Sequence, residues 1–489
     1  MMMMMMMNMW WKWKACSNSI LLLLLMLIML LAMIDGGCGM KLELIHRNSP
    51  NNNETSTSLV ERITELYERD MVRQQHMIYR RLRHTHSHST RRKDRETATS
   101  IAMRIRSAAD YGRGEYFVRV KVGTPGQNFR LFVDTGSDLT WTKCRYHCKT
   151  TNCKSLPVRL VQGEGRLINN KRVFRADFSS TFNTIPCSSP MCKIGLSHFF
   201  SLATCRNPTD PCFYDYGYME GSRIIGFFAN ETVSVNLTNG RKEKLQNVLV
   251  GCTEYMEGDF RAADGVLGLG FSKYSFTAHL VEEFGAKFSY CLVDHLSPRN
   301  VSSYLLFGHV IVGTKLLSNK QYTKLVLANE LGSLYGVSVS DISIGGVLLK
   351  IPSQVWDVNL GGGTVLDSGT SLTYLSAQAY DLVMAALLKS VSKLQRLSVD
   401  GVPFEYCFNS TGFDESLVPR LRVHFTDGAR FEPPVKSYII DVAMETKCLG
   451  FVSSEWPAPS VIGNIMQQNH LWEFDLEQST LGFAPSTCT

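Results

Sequence analysis

The sequence predicts a mainly β protein, bilobal, with a cleft between two β-rich lobes. The octet Asp134-Thr135-Gly136-Ser137-Asp138-Leu139-Thr140-Trp141 returns 233 residues later as Asp367-Ser368-Gly369-Thr370-Ser371-Leu372-Thr373-Tyr374, with agreement at Asp, Gly, Leu and Thr. That interval is too long for a solenoid period and suits two lobes on one plan. Each octet follows a β-like apolar run, Phe129 to Val133 and Thr364 to Leu366, so each leading Asp stands where a strand enters a glycine turn. From Tyr111 onward, short strands broken by Gly, Asn and Ser recur, and helical stretches are few, Ser376 to Leu394 being the clearest.

The bulk figures agree with a globular chain. Of 489 residues, 44% are hydrophobic and 19% charged, enough for sizeable cores. The net charge of +7 is unevenly spread. Residues 1–110 carry 16 Lys and Arg against 10 Asp and Glu, and the rest carry 35 against 34. A nucleic-acid enzyme concentrates positive charge on its folded domain, which is nearly neutral here, so no nucleic-acid partner is expected.

In chain order, residues 1–36 read as a signal peptide. Lys12 and Lys14 precede an unbroken apolar run, Ile20 to Ile34, that is short for a bilayer span. A signal anchor is the rival reading, and no stable span is expected after cleavage. Residues 37–110 read as a basic prosegment. Within them Leu59, Ile63, Tyr67 and Met71 recur four apart, with Leu66 widening the same helical face. The plainer alternative is a solvated linker. His84, His86 and His88 have no acid or Cys companions of the kind a metal site needs. Residues 111–312 form the first lobe. Tyr116 to Val122 reads as a strand, Gly123-Thr124-Pro125-Gly126 as a turn, and a second strand runs into Asp134. The change of lobe is placed near Val310 to Gln321, after the apolar strand Tyr304 to Phe307, and residues 313–489 form the second lobe.

Twelve of the fourteen Cys lie from position 144 onward: Cys144, Cys148, Cys153, Cys187, Cys192, Cys205, Cys212, Cys252, Cys291, Cys407, Cys448 and Cys488. Behind a signal peptide an even set implies six disulfides, with the connectivity open. Zinc at Cys144, Cys148, Cys153 and His147 is the rival, disfavoured by spacing and by secretion, so neither metal nor cofactor is expected. Asn53, Asn230, Asn236, Asn300 and Asn409 each begin a glycosylation sequon, consistent with a secretory route.

A lone Asp-Thr-Gly usually marks a turn. Two in phase, one per lobe, point to acid–base hydrolysis of an amide without metal or covalent intermediate. Two carboxylates held about 3 Å apart share one proton and hold a water between them. One accepts a proton as the water attacks, and the other donates to the carbonyl oxygen. Gly136 and Gly369 permit close backbone approach. Ser137 and Thr370 are placed to donate to the outer carboxylate oxygens, and Thr135 and Ser368 to lock the loops across the interface. Turn capping is the bland reading of these hydroxyls.

With these residues in view, the chain resembles a pepsin-like aspartic endopeptidase, and is similar in particular to the plant nepenthesin-like branch, over about Tyr111 to Cys488. Gly123-Thr124-Pro125, Asp264-Gly265-Val266-Leu267-Gly268-Leu269-Gly270, Ser460-Val461-Ile462-Gly463-Asn464, Gln467-Gln468-Asn469 and Phe483-Ala484-Pro485 carry the likeness. Leu42 to Pro50 resembles the start of that branch's prosegments, and Cys144 to Cys212 its Cys-rich insert. The resemblance implies the pepsin-like aspartic protease fold, with Asp134 and Asp367 as the catalytic pair. It also implies a flap whose Tyr is Tyr218, with Trp141 as its hydrogen-bond neighbour. Met219-Glu220 stands where family members often carry Gly-Asp or Ala-Asp. The expected function is a secreted zymogen, monomeric, cutting peptide or protein substrates at acid pH in the apoplast or vacuole. The alternative is a catalytically silent binding protein or enzyme inhibitor on the same fold.

Overall fold

Strand Tyr116–Val122 buries its apolar residues and turns Arg119 and Lys121 outward, the alternation of a sheet with one wet face. It pairs antiparallel with Gln127–Asp134. That second strand is buried from Phe129 to its end, because Gly265–Gly268 covers its other edge in parallel register, Gly268 opposite Asp134. The second lobe repeats the arrangement. Thr364–Leu366 lies between Tyr335–Val337, antiparallel, and Ser460–Ile462, parallel, with Leu366 opposite Ile462.

The computed structural model describes residues 60, 63, 64, 67, 70, 101–107, 116–146, 166–167, 172–198, 200, 202, 205, 207–217, 223–237, 241–257, 263–294, 303–308 and 316–488. The expected signal peptide, most of the expected prosegment, Cys148, Cys153, Tyr218, Asn53 and Asn300 lie outside them.

The architecture is the pepsin-like one, mainly β and two-lobed. Six antiparallel strands join the lobes, in the order Ile101–Ser107, Ser303–Phe307, Lys287–Cys291, His470–Asp475, Thr480–Pro485 and Gln321–Val326. Their apolar faces bring Phe288, Tyr290, Phe307, Trp472, Phe474 and Phe483 into the largest core, where Phe288 and Phe474 stack at 4.6 Å. Helix Phe276–Phe284 starts at Ser275, whose hydroxyl accepts from the Ala278 N–H. Helix Ala377–Val391 falls within the stretch expected from the sequence. It buries Ala379, Tyr380, Val383, Met384, Leu387 and Val391, one stripe at helical spacing. No helix among the described residues is long and apolar enough to cross a membrane.

Among the described residues there are five disulfides: Cys144–Cys252, Cys187–Cys205, Cys192–Cys212, Cys291–Cys488 and Cys407–Cys448. The first takes Cys144 out of the zinc reading. Cys407 and Cys448 face each other across an antiparallel pair. Cys291–Cys488 closes 197 residues and ties the chain end to the joining sheet. A loop of that length constrains the unfolded chain by about 5 kcal/mol in the entropic account. Asn230 and Asn409 are half-buried on strands, and Asn236 is exposed at a strand end.

Candidate active site

Asp134 ends its strand and Asp367 directly follows Thr364–Leu366, so both acids leave a sheet at the same point of the plan. They are 4% and 0% exposed. Each carboxylate is held in the same way by its own loop. The Gly136 N–H donates to Asp134 Oδ1 at 3.0 Å and the Ser137 hydroxyl to Oδ2 at 2.7 Å. The Gly369 N–H donates to Asp367 Oδ1 at 2.8 Å and the Thr370 hydroxyl to Oδ2 at 2.7 Å. Hydrogen bonds to an ionised carboxylate are the stronger kind and fix its plane.

The loops are then tied to each other. The Thr135 N–H donates to Ser368 Oγ at 3.1 Å, and the Ser368 N–H returns a bond to Thr135 Oγ1 at 2.9 Å. Ser368 Oγ donates onward to the Val133 carbonyl at 3.0 Å. Thr135 and Ser368 immediately follow the two acids. Each carboxylate therefore starts one residue, about 3.8 Å of chain, from a reciprocal lock between the lobes.

Behind each loop runs the apolar-apolar-Gly segment singled out in the sequence. The Leu269 N–H donates to the Asp134 carbonyl at 2.8 Å, and the Gly270 N–H to that of Ser137 at 2.9 Å. In the second lobe the Asp367 N–H donates to the Ile462 carbonyl at 3.2 Å, and the Asn464 N–H to that of Thr370 at 2.7 Å. The approach is close enough to require glycine. A Cβ on Gly268 would stand 2.5 Å from the Asp138 carbonyl carbon, and one on Gly463 2.1 Å from the Leu372 oxygen.

Sequence reasoning missed three supports, all on the second side. Asn464 Nδ2 donates to the Ser368 carbonyl at 3.1 Å. Gln467 Nε2 donates at 2.6 Å to Ile462, the same carbonyl that receives the Asp367 N–H. Tyr290, from the joining sheet, donates its hydroxyl to Gln467 Oε1. Burial pushes the Tyr290 phenol well above its ordinary range, and the Asp367 charge adds to the effect. The next residue, Gln468, donates to the Tyr116 hydroxyl at 2.8 Å, so the two Gln reach both lobes. The sequence signals were the end of Ser460-Val461-Ile462-Gly463-Asn464 and the polar run Gln467-Gln468-Asn469, neither of which says what its side chains hold.

Trp141 is fully buried among Phe117, Phe132, Tyr214 and Phe228. Its expected neighbour Tyr218 lies outside the described residues, so the flap pairing stays an expectation.

A two-lobed β fold with one Asp loop from each lobe, locked at the interface, defines the pepsin-like class. Residues 116–309 match the family described as Xylanase inhibitor N-terminal, and residues 334–485 the one described as Xylanase inhibitor C-terminal. The chain is similar to Aspartyl protease family protein 2 of Arabidopsis thaliana, 33% identical over 78% of this chain and 73% of the relative. It is also similar to Aspartic proteinase nepenthesin-1 of Nepenthes gracilis, 31% identical over 77% and 79%. Among solved structures, basic 7S globulin from soybean superposes with a TM-score of 0.61 at 17% identity, over 79% of this chain and 95% of that one. The chain belongs to the plant aspartic protease family that includes the nepenthesins.

Proposed function

We propose that the protein is an aspartic endopeptidase in which Asp134 and Asp367 act together on one water. The observation that carries this is the mirrored clamp on the two carboxylates, with the Thr135–Ser368 lock between them. One carboxylate, ionised, takes a proton from the water as its oxygen attacks the peptide carbonyl carbon. The other, protonated, gives its proton to the carbonyl oxygen. Collapse of the tetrahedral adduct returns a proton to the nitrogen and breaks the C–N bond, and the pair again shares one proton. The surrounding hydroxyls and glycine N–H groups are fixed before substrate arrives, so little reorganisation is needed as charge moves.

In this reading residues 1–36 are a signal peptide and residues 37–110 a basic prosegment over the cleft. The lobes are 111–312 and 313–489, and Tyr218 closes over peptides with apolar side chains beside the scissile bond. The enzyme is a monomeric zymogen of the secretory pathway, delivered to the apoplast or vacuole. The names of the curated relatives support proteolysis. A second reading, a silent binding protein, draws on the xylanase-inhibitor description of both family matches and on the globulin fold neighbours. Incubation of the acidified protein with a denatured protein substrate, with and without a statine peptide, separates the two. Cleavage at acid pH that statine abolishes is expected. Binding of statine without cleavage, or neither, rejects the enzyme.

A further inference from the structure

The second catalytic loop is finished by a residue from far upstream. Asp70 is 3% exposed, and its carboxylate accepts from the Ser371 N–H at 3.1 Å and from the Leu372 N–H at 2.8 Å. Those two residues follow Thr370, whose hydroxyl clamps Asp367. On their far side Gly463 is packed against the Ser371 and Leu372 carbonyls. The peptide units after the clamp are therefore held from both sides, by Gly463 below and by Asp70 above.

Asp70 does not arrive alone. Residues 60, 63, 64, 67 and 70 are helical, and the spacing puts Ile63, Tyr67 and Asp70 along one face. Ile63 is 2% exposed and sits in a core cluster with Leu334, Leu372, Tyr374, Phe404 and Ile440. Tyr67, Val399 and Val402 pack against the same cluster. The Thr64 hydroxyl donates to the Gly401 carbonyl, and a Cβ on Gly401, which has φ +81°, would meet Thr64 Oγ1 at 2.9 Å. The contact therefore has an apolar centre, a hydrogen bond at a glycine and a buried charge-assisted bond.

The first octet has its own acid, Asp138, at the position where the second has Ser371. We propose that the turns carrying Ile63, Thr64, Tyr67 and Asp70 are a built-in ligand of the second lobe. They hold the loop after Asp367 in shape through Asp70, and they remain seated when the chain is cut between residues 71 and 115. A buried carboxylate that receives two backbone N–H groups leaves both donors unsatisfied if it departs, which opposes release. The inference stands whether or not the dyad hydrolyses peptides, because its readouts do not use activity.

The test uses the full chain at neutral pH. In Asp70→Ala the amides of Ser371 and Leu372 exchange hydrogen faster by about tenfold or more, with a smaller gain in Asp70→Asn. Amides of Asp138 and Leu139 change less than about twofold. A second arm needs no substitution of Asp70. A site-specific protease sequence replaces residues 86–95, the chain is cut there, and native mass spectrometry follows the amino-terminal fragment. The fragment stays bound to the rest of the parent chain after the cut. Unchanged exchange at Ser371 and Leu372 in Asp70→Ala overturns the proposal. So does loss of the parent fragment on cutting, and this second arm decides should Asp70→Ala not fold.

Discussion

The two Asp loops use the same pair of hydrogen bonds on each carboxylate, yet they are completed differently. The first is followed by an acid of its own, Asp138. The second is followed by Ser371, and the carboxylate on its backbone comes from Asp70, 301 residues away. The second also leans on Asn464, Gln467 and Tyr290. Matching clamps on the two acids thus sit in different surroundings, and the backbone after the second is held by a carboxylate from distant sequence. What the octets share is the clamp, the glycine and the lock.

The difference can be sharpened at the glycines beneath the loops. Gly463→Ala places its Cβ 2.1 Å from backbone oxygen, and Gly268→Ala 2.5 Å from backbone carbon. Both positions are overpacked against main chain, which cannot rotate away. A loss of about 2–3 kcal/mol in denaturant unfolding is expected for Gly463→Ala and somewhat less for Gly268→Ala. Equal, negligible losses would mean that the loops are not pinned from below.

A smaller effect separates the first lobe from the joining sheet by pH. In the first lobe Glu254, half-buried and accepting from the Tyr146 N–H, is pushed by burial from 4.5 to about 7. The folded state then holds a proton that the unfolded state has lost. This contribution is present below pH 4.5 and disappears as pH rises through 7. In the joining sheet burial lowers His470 from 6.5 to about 4, so its contribution is present above pH 6.5 and disappears as pH falls through 4. The full shift corresponds to about 3 kcal/mol, which solvent screening of a half-buried group reduces, so Glu254→Gln should remove a decline of about 1–2 kcal/mol between pH 4.5 and 7, read from denaturation midpoints across that window. A decline as steep as in the parent chain would assign it to other groups.

Much of this was legible in sequence because it is local. Strand Tyr116–Val122, the strand-to-turn position of both acids, the Ser137 and Thr370 hydroxyls and helix Ala377–Val391 follow from alternation, turn chemistry and spacing. The Thr135–Ser368 lock was readable because the repeat itself places two hydroxyls in register. Ile63 and Tyr67 showed helical periodicity, but nothing in that pattern says what the face rests on. Asp70 looked like one charge among many in a basic stretch, since the donors it satisfies are main-chain groups without a side-chain signature. Gln467 and Tyr290 are coupled over 177 residues, and the choice of partner for each Cys is equally a product of tertiary packing.

The central claim is that two acids from two lobes form one catalytic unit. Hydrolysis rates at acid pH for Asp134→Asn, Asp367→Asn and the double variant test it most directly. Each single substitution should lower kcat by about a thousandfold or more, and the double should be no slower than the worse single, because members of one unit are not additive. A single variant at the parent rate, or a double variant whose loss is the product of the two, would contradict it.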